Sequence, residues 1–245
     1  MYRIEAHGIP YKRLNEMLRE AADRGEKEIE LVGVNGQRYL GSGIRSRVKI
    51  TIHGVPGNDL GSFLDGPEIT VYADGQDAIG NTMNEGKIVV HGSAGDVIGY
   101  GMRGGKIHIR GHVGYRVGIH MKEYRRQVPV VIAGGTAGDF FGEYMAGGVA
   151  ILLGLDCGPG ERLTGDYLGT GMHGGVIYLR GEVDPSYLGQ EVAVFDLEPQ
   201  DEEALDKYLQ EYCQDFALDY ENVRRARFIK LVPVSSRPYG RLYAY

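Results

Sequence analysis

The chain has 245 residues, 24% of them charged and 42% hydrophobic, enough apolar material for one large or two small cores. A net charge of −6 at pH 7 leaves no basic surplus to neutralise phosphates, which argues against nucleic acid as a partner; the short basic cluster Lys122, Arg125, Arg126 reads as a solvated loop. Two cysteines, Cys157 and Cys213, stand in no ligand-like spacing, Met1 to Ile9 holds no apolar signal core, and no apolar run approaches the ~18 residues of a membrane span, so a cytoplasmic protein with free thiols is expected.

Residues 1–28 form the first region. Pro10 suits a helix start, Leu14, Met17, Leu18, Ala21 and Ala22 come after it at helical spacing, and Gly25 is a stop. The narrow apolar stripe predicts one amphipathic helix packed on the second region.

Residues 29–195 carry an internal repeat. The 39 glycines are more than twice the roughly 7% usual in proteins, and most belong to it. Gly61, Gly80, Gly99 and Gly118 succeed one another at nineteen residues, with looser copies at Gly142 and Gly169. Three residues after each stand Leu64, Met83, Met102, Met121, Met145 and Met172. The copy from Gly95 to Gly111 shows the unit most fully: Gly-Asp-x-x-Gly-x-x-Met, then a short strand in which Ile107 and Ile109 point inward and Lys106, His108 and Arg110 outward. Equivalent inward pairs are Ile69/Val71, Ile88/Val90, Val131/Ala133, Ala150/Leu152 and Ile177/Leu179. A strand this short, recurring at this period, fits neither a leucine-rich nor a propeller unit. It fits one coil of an all-β fold: a single-stranded, right-handed parallel β-helix of about nineteen residues per coil, with glycines at corners that need positive φ or close backbone approach. Insertions of about five residues near Lys122–Pro129 and about eight near Leu155–Thr164 predict loops and interface candidates.

In residues 196–245, Pro199 and Asp201 open a second amphipathic helix, with Leu205, Tyr208, Leu209, Tyr212, Cys213 and Phe216 on one side. A strand from Phe228 and an arginine- and tyrosine-rich tail to Tyr245, a further interface candidate, complete the chain. The helix is expected to cover an open end of the solenoid, because an uncapped coil is an exposed sheet edge.

The chemistry is sparse. Thioethers bind Cu(I), but a column of Met83, Met102, Met121, Met145 and Met172 is what solenoid packing alone produces. Asp77, Asp96, Asp139 and Asp166 share one position, with Asn58 one coil earlier and Tyr115 interrupting the row. Carboxylates stacked about 4.8 Å apart need compensation. Bonds to turn N–H groups supply it, and Asn can replace Asp in that role; calcium is the alternative, but the calcium-binding β-roll uses a nonapeptide rather than nineteen residues. His91, His108, His112, His120 and His173 form no cluster and read as surface residues. No serine sits in a nucleophile elbow, and Gly99-x-Gly101-x-x-Gly104 is not a dinucleotide fingerprint because no helix comes after it. No catalytic, cofactor-binding or metal-ligating residue is expected in this chain.

The unit Gly-Asp-x-x-Gly-x-x-Met-x-Gly-Gly-x-Ile-x-Ile-x-Gly resembles the GXGXG repeat at the C-terminal end of the glutamate synthase large subunit, and the same repeat in the C subunit of formylmethanofuran dehydrogenase. The likeness spans nearly the whole chain. Tyr11-Lys-Arg-Leu-Asn and Val34-Asn-Gly-Gln-Arg-Tyr-Leu-Gly look like the opening of the free-standing, archaeal-type glutamate synthase subunit and favour the first of the two. That resemblance implies a non-catalytic scaffold holding glutaminase and FMN-binding synthase subunits in register, with FMN and iron–sulfur centres on those partners. A formylmethanofuran dehydrogenase-type C subunit is the alternative, with a self-standing β-helix enzyme or carbohydrate binder, using outward residues such as Lys106, His108, Arg110, Tyr178 and Arg180, in third place. Self-association is a further possibility.

Overall fold

The computed structural model describes residues 1–158 and 160–234, so the tail from Arg237 to Tyr245, an interface candidate by sequence, lies outside the described residues. The chain runs β1 (Tyr2–Glu5), α1 (Tyr11–Asp23), β2 (Glu28–Asn35), β3 (Lys49–Val55), β4 (Asp65–Val71), β5 (Glu85–Val90), β6 (Lys106–Ile109), β7 (Val130–Ala133), β8 (Ala146–Leu152), β9 (Gly174–Arg180), β10 (Val192–Asp196), α2 (Pro199–Phe216), α3 (Tyr220–Arg224) and β11 (Phe228–Pro233). Strands β1 to β9 lie side by side in chain order and pair in parallel. This is a parallel β-helix of about six turns.

The register carries the period. Lys49 pairs with Glu68, Glu68 with Lys87 and Lys87 with Lys106, nineteen residues on each time. The offset widens to 24 at Lys106–Val130 and to 27 at Val149–Val176, where the two insertions emerge without disturbing the stack. The predicted inward pairs are all buried in one continuous core, as are the five methionines and Leu64. Stacking like on like lets each coil bury apolar surface that it could not bury alone.

The second wall of each coil is not a β-strand. In the coil of Gly80, residues Ala78, Gly80 and Thr82 all have positive φ, at 59°, 68° and 53°. The same triplet recurs at 59/61/63, 97/99/101, 116/118/120, 140/142/144 and 167/169/171. Backbone groups there bond alternately up and down the stack: Ala78 N–H donates to Asp96 O, and Gly80 N–H to Leu60 O. At the middle position, except Gly118, where the nearest atom to a Cβ would be 3.8 Å away, glycine has a steric reason beyond its φ. A Cβ on Gly80 would stand 2.3 Å from Ile107 Cδ1 in the adjoining coil, whereas the flanking side chains point away from the core.

Both ends depart from expectation. The first region is not helical throughout: β1 precedes α1 and joins the sheet beside β2, so that Leu14, Leu18, Ala21 and Ala22 of α1 pack into the first coil's end of the core. At the other end the helix is not the cap. Strand β11 adds antiparallel to β9 and β10 adds antiparallel to β11, and Ile229, Leu231 and Val192 close the core. Helix α2 instead lies on the outside of the sheet. Its Leu205, Leu209, Tyr212 and Cys213 form a second core with Val130, Ile132, Val149, Ile151 and Tyr178 from the outward positions of β7 to β9. A capping box between Glu198 and Asp201 starts α2, and Ala217 in the left-handed region ends it. Among the described residues no helix is long and apolar enough to cross a membrane.

Candidate functional site

A concavity opens beside α2. The helix covers the outer face of the later strands and leaves that of the earlier ones open, forming a groove of about 580 Å³. Along its floor Glu28, Lys49, Glu68, Lys87 and Lys106 stand on successive strands in register. Sign alternates along this row until Lys87 meets Lys106. That like-charge pair is neutralised from α2, since both lysines donate to Glu211. Four residues further along these strands, His53, Tyr72 and His91 stack across successive coils, at 5.4 and 4.5 Å between ring centroids, and His91 meets the edge of Phe216 on α2 at 5.2 Å.

At the closed end of the groove His108 is 1% exposed, so its expected surface role is corrected: a helix a hundred residues later in sequence covers it. His108 Nδ1 lies 2.6 Å from Asp215 Oδ2. Because the carboxylate only accepts, Nδ1 carries the hydrogen and Nε2 is left as an acceptor. Nε2 is buried and has no hydrogen-bond partner among the described residues. Burial pushes the His108 imidazole below its usual pKa against the opposing pull of Asp215, and the charge on Lys87 adds to the lowering, so the ring is neutral. Burial acts to raise the Asp215 and Glu211 carboxyls, but hydrogen bonds from His108 and Lys87, and from Lys106 and Lys87, outweigh it and hold both down. Lys87 Nζ bonds Glu211 at 2.9 Å and Asp215 at 2.6 Å, and these bonds keep its pKa raised despite burial. A carboxylate–imidazole pair can activate a nucleophile, but among the described residues none reaches the buried Nε2. The network fastens α2 to the sheet.

The aspartate row has a definite job. Asp77 Oδ1 accepts from Asp96 N–H, Asp96 Oδ1 from Tyr115 N–H and Asp139 Oδ1 from Asp166 N–H, each at 2.9 Å. Asn58 Oδ1 does the same for Asp77 N–H at 3.4 Å. Each side chain therefore satisfies the next coil's backbone rather than its own turn, and Tyr115 can receive such a bond but not pass one on. The glycine before each donor residue leaves room for the previous coil's carboxylate: a Cβ on Gly95, Gly114 or Gly165 would sit 2.0 Å from Oδ1 of Asp77, Asp96 or Asp139 respectively. Asp166 also pairs with Arg162. Met83, Met102, Met121, Met145 and Met172 are fully buried, and Gly61, Gly80, Gly99, Gly118, Gly142 and Gly169 have φ between 62° and 74°. Among the described residues no three His, Cys, Asp or Glu side chains converge as a metal site would require. The insertion after Lys122 borders the groove through Val128, and Glu123 Oε1 in it accepts from Gly148 N–H; the second insertion sets Arg162 over the Tyr187 ring.

The GXGXG-motif family model matches residues 29–233. An uncharacterized protein of Methanocaldococcus jannaschii is 45% identical, over 98% of this chain and 95% of its own length. Among solved structures, a chain from the formyltransferase/hydrolase complex of Methylorubrum extorquens in complex with methylofuran matches with a TM-score of 0.62 at 17% identity, covering 96% of each chain. At that identity the likeness is one of fold. These findings correct the expected glutamate synthase scaffold: the solved chain matched end to end comes from a formyltransferase/hydrolase assembly, and the glutaminase and FMN-binding partners find no support. The physical reason is that Tyr11-Lys-Arg-Leu-Asn, which favoured glutamate synthase, is the first turn of α1 and reports how the first coil is closed rather than which partner docks.

Proposed function

Because the chain belongs to the GXGXG-motif family, we propose that it is the β-helix subunit of a multi-subunit complex of the formylmethanofuran dehydrogenase or formyltransferase/hydrolase kind, structural rather than catalytic. The observation that carries this reading is the fold match over 96% of both chains to one member of such a complex. Two features of the molecule agree with it. The stacked coils form a rod whose two ends are closed by β1–α1 and by β10–β11, which leaves the sides for neighbours. A rigid side wall sets the distance between two partners better than a flexible linker does. The groove also offers an alternating charge row, and among the described residues no side chain bonds the buried His108 Nε2.

Affinity purification of the tagged chain from its native cell, with mass spectrometry of the eluate, tests the reading. Formyl-transferring or formyl-hydrolysing subunits should co-purify in fixed ratio. A chain that elutes alone, or with a glutaminase and a flavoprotein, would overturn it.

A further inference from the structure

We propose that the wall of left-handed residues is a second docking face, centred on Tyr100, His120 and Tyr144, and that it receives an acidic segment of a partner protein. The inference rests on the reading of the chain as a complex subunit and goes further by naming a surface and its complement. Positive φ is strained for bulky side chains, and glycine or asparagine holds it at less cost. Yet Tyr39, Phe63, Phe140, Tyr144 and Tyr167 all occupy such positions, with φ from 53° to 63°. Burial does not repay the strain: Phe63 and Tyr167 are 55% exposed and Tyr144 is 45% exposed. Rings placed at strained corners and turned to solvent have their use outside the chain, and aromatic side chains are enriched where proteins meet.

Charge supplies the complement. Tyr100, His120 and Tyr144 form a short ring ladder, with centroids 6.0 and 5.3 Å apart, that borders a pocket of about 350 Å³. Arg103, Lys122, His120 and His173 line it, and among the described residues no acidic side chain does. Nearby, Arg116 is matched by Glu143 and Arg162 by Asp166. Arg103 and Lys122 have no ion-pair partner among the described residues. On a chain of net charge −6, two adjacent unmatched cations between aromatic walls select carboxylates carried on a chain that also packs against rings. The further exposed rings at Phe63 and Tyr167 extend the face beyond what a small anion could cover. Two cations are too few to hold a nucleic-acid backbone.

The test uses the full chain in its native complex, with p-benzoylphenylalanine replacing Tyr144. Irradiation should cross-link a partner segment rich in Asp and Glu. The double variant Arg103→Glu with Lys122→Glu should lower that yield about tenfold, and Arg103→Lys with Lys122→Arg should retain it; unchanged thermal midpoints show that both variants fold. A cross-linked segment without acidic residues, or a yield unaffected by charge reversal, overturns the inference. If co-purification recovers the complex but Tyr144 captures nothing, this face is wrong and the subunit reading stands. If nothing co-purifies, the subunit reading fails first.

Discussion

Gly80 and Ala78 have nearly the same φ, two residues apart, and differ in what lies beyond their Cβ. Gly80→Ala must place a methyl 2.3 Å from the fully buried Ile107 Cδ1, and it adds the strain of a left-handed alanine. A loss of ~2–4 kcal/mol is expected from denaturant unfolding. Ala78→Gly keeps the backbone and removes strain, so it should change stability by less than ~1 kcal/mol, in either direction. The aspartate row gives a second contrast. Asp96→Asn retains an oxygen to accept Tyr115 N–H and should be nearly neutral, as Asn58 shows in the first rung, whereas Asp96→Ala strands that donor at ~1–2 kcal/mol. Equal losses in Asn and Ala would mean that the negative charge matters, not the acceptor. These residues were legible from the chain alone because period nineteen aligns them. What each touches was not, since the Asp bond runs to another coil.

Helix α2 was legible as an amphipathic element but not in its placement, because an apolar stripe states that a face is covered and not by what. A trace was present all the same. Val130-Val131-Ile132-Ala133 and Val149 to Leu152 do not alternate, the mark of strands buried on both faces. Earlier strands keep polar outward residues, so the uncovered half of the sheet could have been placed in advance. Leu209→Ala should cost ~2–5 kcal/mol, as for a deeply buried leucine. The His108 network makes α2 docking sensitive to pH. His108 and His91 both titrate below the usual value of about 6.5 when folded, each chiefly through burial, so the unfolded chain binds more protons in that window. Stability from this source is fully present above pH 6.5 and is lost as pH falls towards the folded values. Thermal midpoints of wild type should drop between pH 7 and pH 5, with a shallower fall in His108→Gln. Parallel curves for the two proteins would show that His108 does not control the response.

For the whole molecule, the C-terminal elements do two jobs, closing the last coil and covering β7 to β9. Ending the chain at Leu197 should therefore produce soluble aggregates by size-exclusion chromatography, because it bares Ile132, Ile151 and Tyr178 together with the edge of β9. A monodisperse product would show that the coils close without them. From the sequence by itself came the solenoid, its period, the inward columns and the positions of both insertions, because a repeat constrains each residue by the identical residue one coil away. Only the tertiary structure decided that a helix covers half the outer face, that His108 is buried beneath it, and that the strained aromatic corners share one wall. Those relations join residues a hundred positions apart, or depend on backbone angles that side-chain identity does not spell out. Partner choice was the least legible feature, because the residues that match the repeat are those that hold the coils together.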